Sequence, residues 1–385
     1  MTKLIYLDYN ATTPLEPRVW AAMAPFLREH YANPSSIHSP GRLTRTAVEQ
    51  AREQVAALVN AHPSQVVFTS GGTEANNLAL KGVMANYRGQ CLAVSATEHA
   101  SVLEPARAMA EQDWQLNIIR ADELGRISTA ALADALTPHT RLVSVMAANN
   151  ETGVIQDIAV LSELVRRAGA VFHTDAVQAA GKLSLDFPGC GAHLMSLSAH
   201  KIYGPKGAGA LIMDKGLELQ PLLHGGGQEQ GLRGGTENVA GIVGFGMAAE
   251  LARSARAERA AHSLQLRQHF ERRLRQDLPE IMIVAEQAER LANTVMVLVP
   301  GIEGGTLLMQ LDQAGIAVSS RSACSAASAE PSHVLAAMGL VGEAGRSAIR
   351  ISFGRDNTVA DVDALAAVLS GLFKQTRAGS LTGWI

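Results

Sequence analysis

Cysteine is scarce in this chain: three residues in 385, at positions 91, 190 and 324. An odd and sparse set is no disulfide framework, and it points to a reducing compartment, the cytoplasm. None of the three has the paired C-x-x-C spacing of a structural zinc site, so no intrinsic metal is expected. Long apolar runs are missing as well. None approaches the roughly 20 residues of a membrane span. The N-terminus, MTKLIYLDYNATTP, reaches Asp8 too soon for a signal peptide. Strong charge of either sign is absent, and a net charge of -3 makes no case for nucleic acid or an anionic membrane. There is no internal repeat and no low-complexity segment.

What is present describes a well-buried globular chain, 47% hydrophobic and 18% charged. Its length exceeds what one hydrophobic core usually serves, so a large and a small domain are expected. Short apolar strands read as Val66–Thr69, Cys91–Ser95, Leu116–Arg120, Leu142–Met146, Ala170–Thr174, His193–Ser198 and Ala208–Met213. Amphipathic helices fall before and between them, near Pro17–Glu29, Leu43–Val59, Thr73–Lys81, Ala100–Glu111, Thr129–Leu136 and Ile158–Arg167. The alternation predicts an α/β fold with a mostly parallel seven-stranded sheet and helices on both faces. One long helical region, about Glu237–Arg275, leaves this unit, and its polar middle, Arg253–Ser263, marks a boundary. Strands and helices then alternate again in a smaller α+β unit. The predicted division is 14–258 for the large domain, and 1–13 with 259–385 for the small one.

Ligands in such sheets sit at the carboxyl ends of the strands. The stretch Met195–Gly209, MSLSAHKIYGPKGAG, places Lys201 where a strand gives way to a turn. A buried lysine amine can lose its proton and condense with carbonyls; on spacing alone Lys201 is equally one surface lysine among many. Ser198 and His200 flank it with groups suited to phosphate. Ser70–Asn76, SGGTEAN, holds Gly72 and Thr73 where a strand opens into a helix, and backbone N–H groups there favour an anion. It lacks the glycine spacing of nucleotide and dinucleotide loops, and an ordinary turn is the alternative. Asp175 closes another strand and can hold a proton on a pyridine nitrogen, or simply cap a helix. Gln178, three residues on, is in reach of a ring oxygen. His99 can stack on an aromatic ring and shuttle protons, although a lone histidine is more often structural. Asn149 and Asn150 offer amides to a cofactor oxygen or a substrate carboxylate, or form a turn. Five strand ends together supply an amine, a carboxylate, an imidazole, an amide pair and an anion loop, the set that holds pyridoxal 5′-phosphate.

The segments LDYNATTP, NPSS, TSGGTEANN, TEHAS, NNETGVIQD, HTDAVQ, SLSAHKIYGPKGAG, GGGQEQGLRGGTENV and SSRSACSAASAEPSHVLAAMG resemble, nearly end to end, the cysteine desulfurases of the NifS/IscS type. The resemblance implies the fold type I of pyridoxal-phosphate-dependent transferases, class V, and a homodimer. It implies conversion of L-cysteine to L-alanine, with sulfur passing to a cysteine persulfide and on to an acceptor or iron–sulfur scaffold. By it Thr73, Ser198 and His200 bind the phosphate beside Gly72. His99 stacks on the ring, Asp175 pairs with its nitrogen and Gln178 with its oxygen. Thr236 reaches the phosphate of the partner subunit. Asn150 and Asn33 join the substrate site. Arg350 grips the substrate carboxylate, with Arg346 as the competing candidate. Lys201, His99 and Cys324 are the catalytic residues: Lys201 or His99 removes the α-proton and the Cys324 thiolate attacks the substrate sulfur.

Cys324 lies in a run of small polar residues, Ser319–Ser328, with little apolar area to anchor it, so a mobile arm over about 319–330 is expected. A free thiol has a pKa of about 8.5, so a base is needed to deprotonate it. During transfer Cys324 could briefly ligate iron–sulfur. Cys91, in a strand, and Cys190, in a turn, read as structural. Two positions depart from the family pattern. Arg321 stands where the loop usually has glycine, and Gln230 where an arginine is usual. The chain ends soon after its last helix, which leans toward the specialised NifS-like branch. Rival readings are selenocysteine lyase, another reaction on the same cofactor, or a sulfur-relay or scaffold subunit without turnover.

Overall fold

A computed structural model describes residues 4–320, 332–377 and 379. The strands in chain order are β1 (Ile5–Tyr6), β2 (Val66–Thr69), β3 (Cys91–Ser95), β4 (Gln115–Ile119), β5 (Thr140–Ser144), β6 (Val171–Asp175), β7 (Leu194–Ser198), β8 (Gly209–Met213), β9 (Met282–Ile283), β10 (Thr294–Leu298), β11 (Ile316–Ala317) and β12 (Ala348–Ser352). The helices are α1 (Pro17–Arg28), α2 (Ser39–Leu58), α3 (Gly72–Met84), α4 (Ala100–Ala110), α5 (Thr129–Ala135), α6 (Ile158–Arg167), α7 (Phe187–Cys190), α8 (Val239–Ser254), α9 (Arg256–Asp277), α10 (Gly304–Gln313), α11 (His333–Ala337), α12 (Gly342–Arg346) and α13 (Val359–Arg377).

Seven strands form one sheet in the order β2-β8-β7-β6-β5-β3-β4. Six run the same way; β8 runs against both of its neighbours, β2 and β7. Every residue of β2, β3, β6 and β7 is buried, which is why these strands read as unbroken apolar runs. Their carboxyl ends, with that of β5, share one edge of the sheet.

The helices start where local chemistry allows. In α6, Asp157 caps the first turn by accepting from the Val160 N–H at 3.3 Å, while Ile158, Leu161 and Val165 form the buried stripe and Arg166 and Arg167 close the last turn. Helix α2 begins at Ser39, four residues before the apolar periodicity predicts. Pro40 is tolerated in the first turn, and the His38 ring caps the Gly41 N–H at 3.2 Å. The predicted helical region 237–275 is two helices, α8 and α9, joined inside the polar stretch Arg253–Ser263. They meet at Ala255, where ψ is 5°, with no glycine or proline to announce the break. Helix α7 was not predicted, and Cys190 ends it rather than standing in a turn.

The two helices flanking Ala255 belong to different cores. Phe245 of α8 packs edge-on against Phe68 of β2, with ring centroids 6.5 Å apart. Phe270 of α9 packs against Phe353, 6.3 Å away, in a cluster that also holds Leu7, Val295, Leu311 and Leu369. A three-stranded antiparallel sheet, β12-β10-β9, and the parallel pair β1-β11 frame that second core. On this packing we propose the division 14–258 against 1–13 and 259–385.

The glycine-rich loop is clamped to the large unit by a buried ion pair. Both terminal nitrogens of Arg52 reach Glu229, each at 2.8 Å, and Glu229 accepts from the Phe68 N–H at 2.7 Å. Gln230, the departure from the family pattern, sits beside it with φ of 59°.

Candidate active site

The carboxyl edge of the sheet opens into a cavity of about 220 Å³. Gly72, Thr73, His99, Asn150, Asp175, Gln178, Ser198, His200, Lys201 and Arg350 all line it. They arrive from the ends of β2, β3, β5, β6 and β7, and from the middle of β12. Other predicted residues lie elsewhere. Asn33 is exposed, its side-chain oxygen accepting from the Ser35 N–H at 2.8 Å in a local turn. Thr236 is exposed and lines a separate cavity with Ser70 and Arg233. Arg346 is exposed at the end of α12, lining a shallow pocket with Glu303 and Glu343. Cys324 and Arg321 lie outside the described residues.

Lys201 follows β7 at the end of a single 3₁₀ turn. Its Nζ donates to the carbonyls of Asn10 at 2.6 Å and Ala11 at 2.7 Å, so the N-terminal segment forms one wall of the site. Asp175 is held at both oxygens: one accepts from the Val177 N–H at 2.9 Å, the other from Asn76 Nδ2 at 2.8 Å. His99 caps α4, its Nδ1 accepting from the Ser101 N–H at 3.1 Å. The neutral ring therefore carries its proton on Nε2. Burial lowers the pKa of His99, with Asp175 acting against that shift and Lys201 adding to it. Burial likewise pulls His200 down to about 4, helped by Lys201 and Lys206.

Arg350 is 1% exposed in the middle of β12. Its guanidinium pairs with Asp8 at 2.5 Å and donates to the Asn150 carbonyl at 3.0 Å. A cation so deeply buried needs a counter-charge, and Asp8 supplies it from the other end of the chain. Of the two arginines considered from the sequence, this one is in the cavity.

The aminotransferase class-V family profile matches residues 5–365. The chain belongs to the class-V aminotransferase family. It is 41% identical over 379 residues to "Cysteine desulfurase IscS" of Dictyoglomus turgidum, covering 98% of this chain and 96% of that one. A solved "NifS-like protein" superposes with a TM-score of 0.90 at 36% identity, covering 96% of this chain and 99% of the other. A structure described as "SspA in complex with cysteine" matches with a TM-score of 0.81 at 33% identity, covering 92% and 100%.

Class-V aminotransferases of this kind depend on pyridoxal 5′-phosphate, and the residues present suit that cofactor. Ser198 Oγ is buried without a hydrogen-bond partner among the described residues. Beside it α3 begins at Gly72 with no side-chain cap, leaving N–H donors for an anion. A Cβ on Gly72 would meet Val177 Cγ2 at 2.8 Å and Ser198 Cβ at 3.6 Å, filling the cradle. An unpartnered hydroxyl, a helix start and a glycine cradle are together suited to a phosphate.

Behind this wall the sheet is polar in one row. His173 of β6 bonds to Ser144 Oγ of β5 at 2.8 Å and Ser196 Oγ of β7 at 3.0 Å. Burial pulls its pKa down to about 3. The unfolded chain takes up a proton below about pH 6.5 and the folded one does not until about 3, so stability falls with pH across that window, by on the order of 1.4 kcal/mol per unit. Glu98, fully buried, is pushed up to about 8 by burial and by Asp175. It keeps its proton when the unfolded chain has lost it, so it erodes stability as pH rises from about 4.5 to 8. Thermal melts against pH check both signs: His173→Gln is expected to reduce the loss of stability as pH falls from about 6.5 to 3, and Glu98→Gln the loss as pH rises from about 4.5 to 8.

Sequence reasoning missed Asn10, Asn76 and Lys182. Asn10 lies within LDYNATTP and Asn76 within TSGGTEANN, so both stood in recognised motifs without an assigned role. Lys182 stands four residues after Gln178, on the same side of a turn, and carried no other signal.

Proposed function

We propose that this chain is a pyridoxal-phosphate-dependent cysteine desulfurase that converts L-cysteine to L-alanine and transfers the sulfur to Cys324. The observation that carries this reading is the Lys201 amine in one cavity with Asp175, His99 and a buried Arg350. Its likeness to cysteine desulfurases over nearly its whole length supports it.

When bound, the cofactor supplies an aldehyde for amines and a ring that accepts electrons from the α-carbon. Thr73, Ser198 and His200 would hold its phosphate beside Gly72. Asp175, fixed by Val177 and Asn76, would keep a proton on the ring nitrogen, and Gln178 would donate to the ring oxygen. His99 would hold the ring from one side. Arg350 and Asn150 orient the substrate carboxylate. Lys201 moves the α-proton, with His99 as the second proton carrier. The Cys324 thiolate then attacks the substrate sulfur. The carbon–sulfur bond breaks, a sulfur–sulfur bond forms, and the hydrogen lost by the thiol ends on the methyl carbon of alanine. The sum balances without an outside oxidant.

The direct test is to incubate the purified yellow protein with L-cysteine and an excess of a dithiol reductant, which releases the persulfide sulfur as sulfide, and to quantify alanine and sulfide. Equal amounts of both, dependent on the cofactor, are expected; a preference for L-selenocysteine would favour the lyase reading. No visible band at all would favour a relay or scaffold subunit.

Further parts of the reading concern partners. A homodimer would bring Thr236 to the partner subunit's phosphate, which gives that exposed residue a function; light scattering at the monomer mass would remove it. The sulfur acceptor is proposed to serve iron–sulfur assembly in the cytoplasm. Trapping of a persulfide-linked partner on Cys324 would identify it. Among the described residues no helix is long and apolar enough to cross a membrane.

A further inference from the structure

One half-buried amine has no part in the chemistry above. Lys182 Nζ donates to Gln178 Oε1 at 2.8 Å and to Asn10 Oδ1 at 3.1 Å. Both acceptors are neutral amides. Burial, with repulsion from Lys201 and Arg350, pulls its pKa down to about 7. An amine kept in such surroundings strains against its own charge, so its contacts call for an account.

The two ends of an amide are chemically opposite. An ammonium only donates, so Lys182 takes the oxygen of Gln178. The nitrogen end of Gln178 is thereby turned toward the cavity wall, where it donates to the Asn10 carbonyl at 2.9 Å. That same carbonyl receives the Lys201 amine at 2.6 Å.

Asn10 is set in the same way. Its Oδ1 accepts from Lys182 and from Asn293 Nδ2 at 2.9 Å. Its Nδ2 donates to the Asn150 carbonyl at 3.1 Å and to Thr294 Oγ1 at 2.9 Å. Its N–H donates to Ser352 Oγ at 2.9 Å. Every polar group of Asn10 is thus engaged, and either amide turned over would place nitrogen against the ammonium.

We propose that Lys182 is a positioning residue of this active site: by holding the Gln178 amide oxygen it turns the amide nitrogen toward the cofactor's ring oxygen. The inference rests on the cofactor reading given under Proposed function.

Lys182→Met keeps the length of the side chain and removes its donors. It is expected to weaken binding of pyridoxal 5′-phosphate to the apoprotein about tenfold, read by titration. It is also expected to raise the pH midpoint of the bound cofactor's visible band, because a donor at the ring oxygen favours its anion. Gln178→Ala should produce both changes, and adding Lys182→Met to it should change either by less than about twofold. A side chain that merely fills space would lower the melting temperature and leave the band midpoint where it was. Should the methionine variant not fold, Lys182→Leu, also without a donor, carries the same expectations. Affinity and midpoint unchanged in a folded variant would overturn the proposal, as would a full effect persisting in the Gln178→Ala background. A wild-type protein that takes up no cofactor would sink both readings; normal uptake by wild type and variant alike would sink this one alone.

Discussion

In the Lys201→Ala protein, conversion of L-cysteine to alanine is expected to fall by about 10³-fold or more, and the visible band of the bound cofactor to shift or vanish. The reason is geometric. The Lys201 amine enters the cavity from the end of β7, held by the Asn10 and Ala11 carbonyls. Lys182, the other amine nearby, is occupied by two amide oxygens and does not line that cavity. The variant should fold, since truncation removes contacts to two carbonyls and no part of the apolar core. Absorbance of the reconstituted variant and its alanine yield are the two measurements. Turnover within tenfold of wild type would remove Lys201 from the chemistry.

Cys324→Ala should separate the two halves of the reaction. Cofactor uptake and the visible band should stay as in the wild type, while sulfide and alanine formation drop by about 10³-fold or more. No other thiol can substitute. Cys91 is buried in β3. Cys190 closes α7, its Sγ near the Phe187 carbonyl at 3.3 Å, and burial pushes its thiol up, away from the reactive thiolate. Full activity in the alanine variant would assign the sulfur transfer to another acceptor.

Much of the architecture could be read from residue order because the physics involved is local. The seven strands are apolar runs closed by polar residues, and buried parallel strands leave that signature whatever surrounds them. Motif residues at strand ends, such as Asp175 and Ser198, were found for the same reason. The misses are tertiary. The polar middle Arg253–Ser263 showed where the two units part, but no glycine or proline fixes the kink at Ala255, because its place follows from which core each flanking helix joins. Arg350 and Arg346 looked alike in sequence; burial and the pairing with Asp8, from the far end of the chain, separate them. Lys182 and Asn10 matter through hydrogen bonds across 172 positions, a link no periodicity records. Asn33 and Thr236 sit outside the cavity of a single chain; the proposed dimer gives Thr236 a role, and nothing in the fold brings Asn33 to the substrate site.

The reversal of β8 has a mechanical consequence. Its first residue, Gly209, lies so close to Gly71 that an added Cβ would stand 2.6 Å from the Gly71 Cα. Gly71 itself has φ of 155°, a backbone shape that side-chained residues rarely take. Main chain therefore rests on main chain beneath the turn that leads to Gly72 and Thr73, with no rotamer between them to yield. That side of the cavity is backed by a hard stop, and variation among ligands has to be absorbed by the side chains that line it.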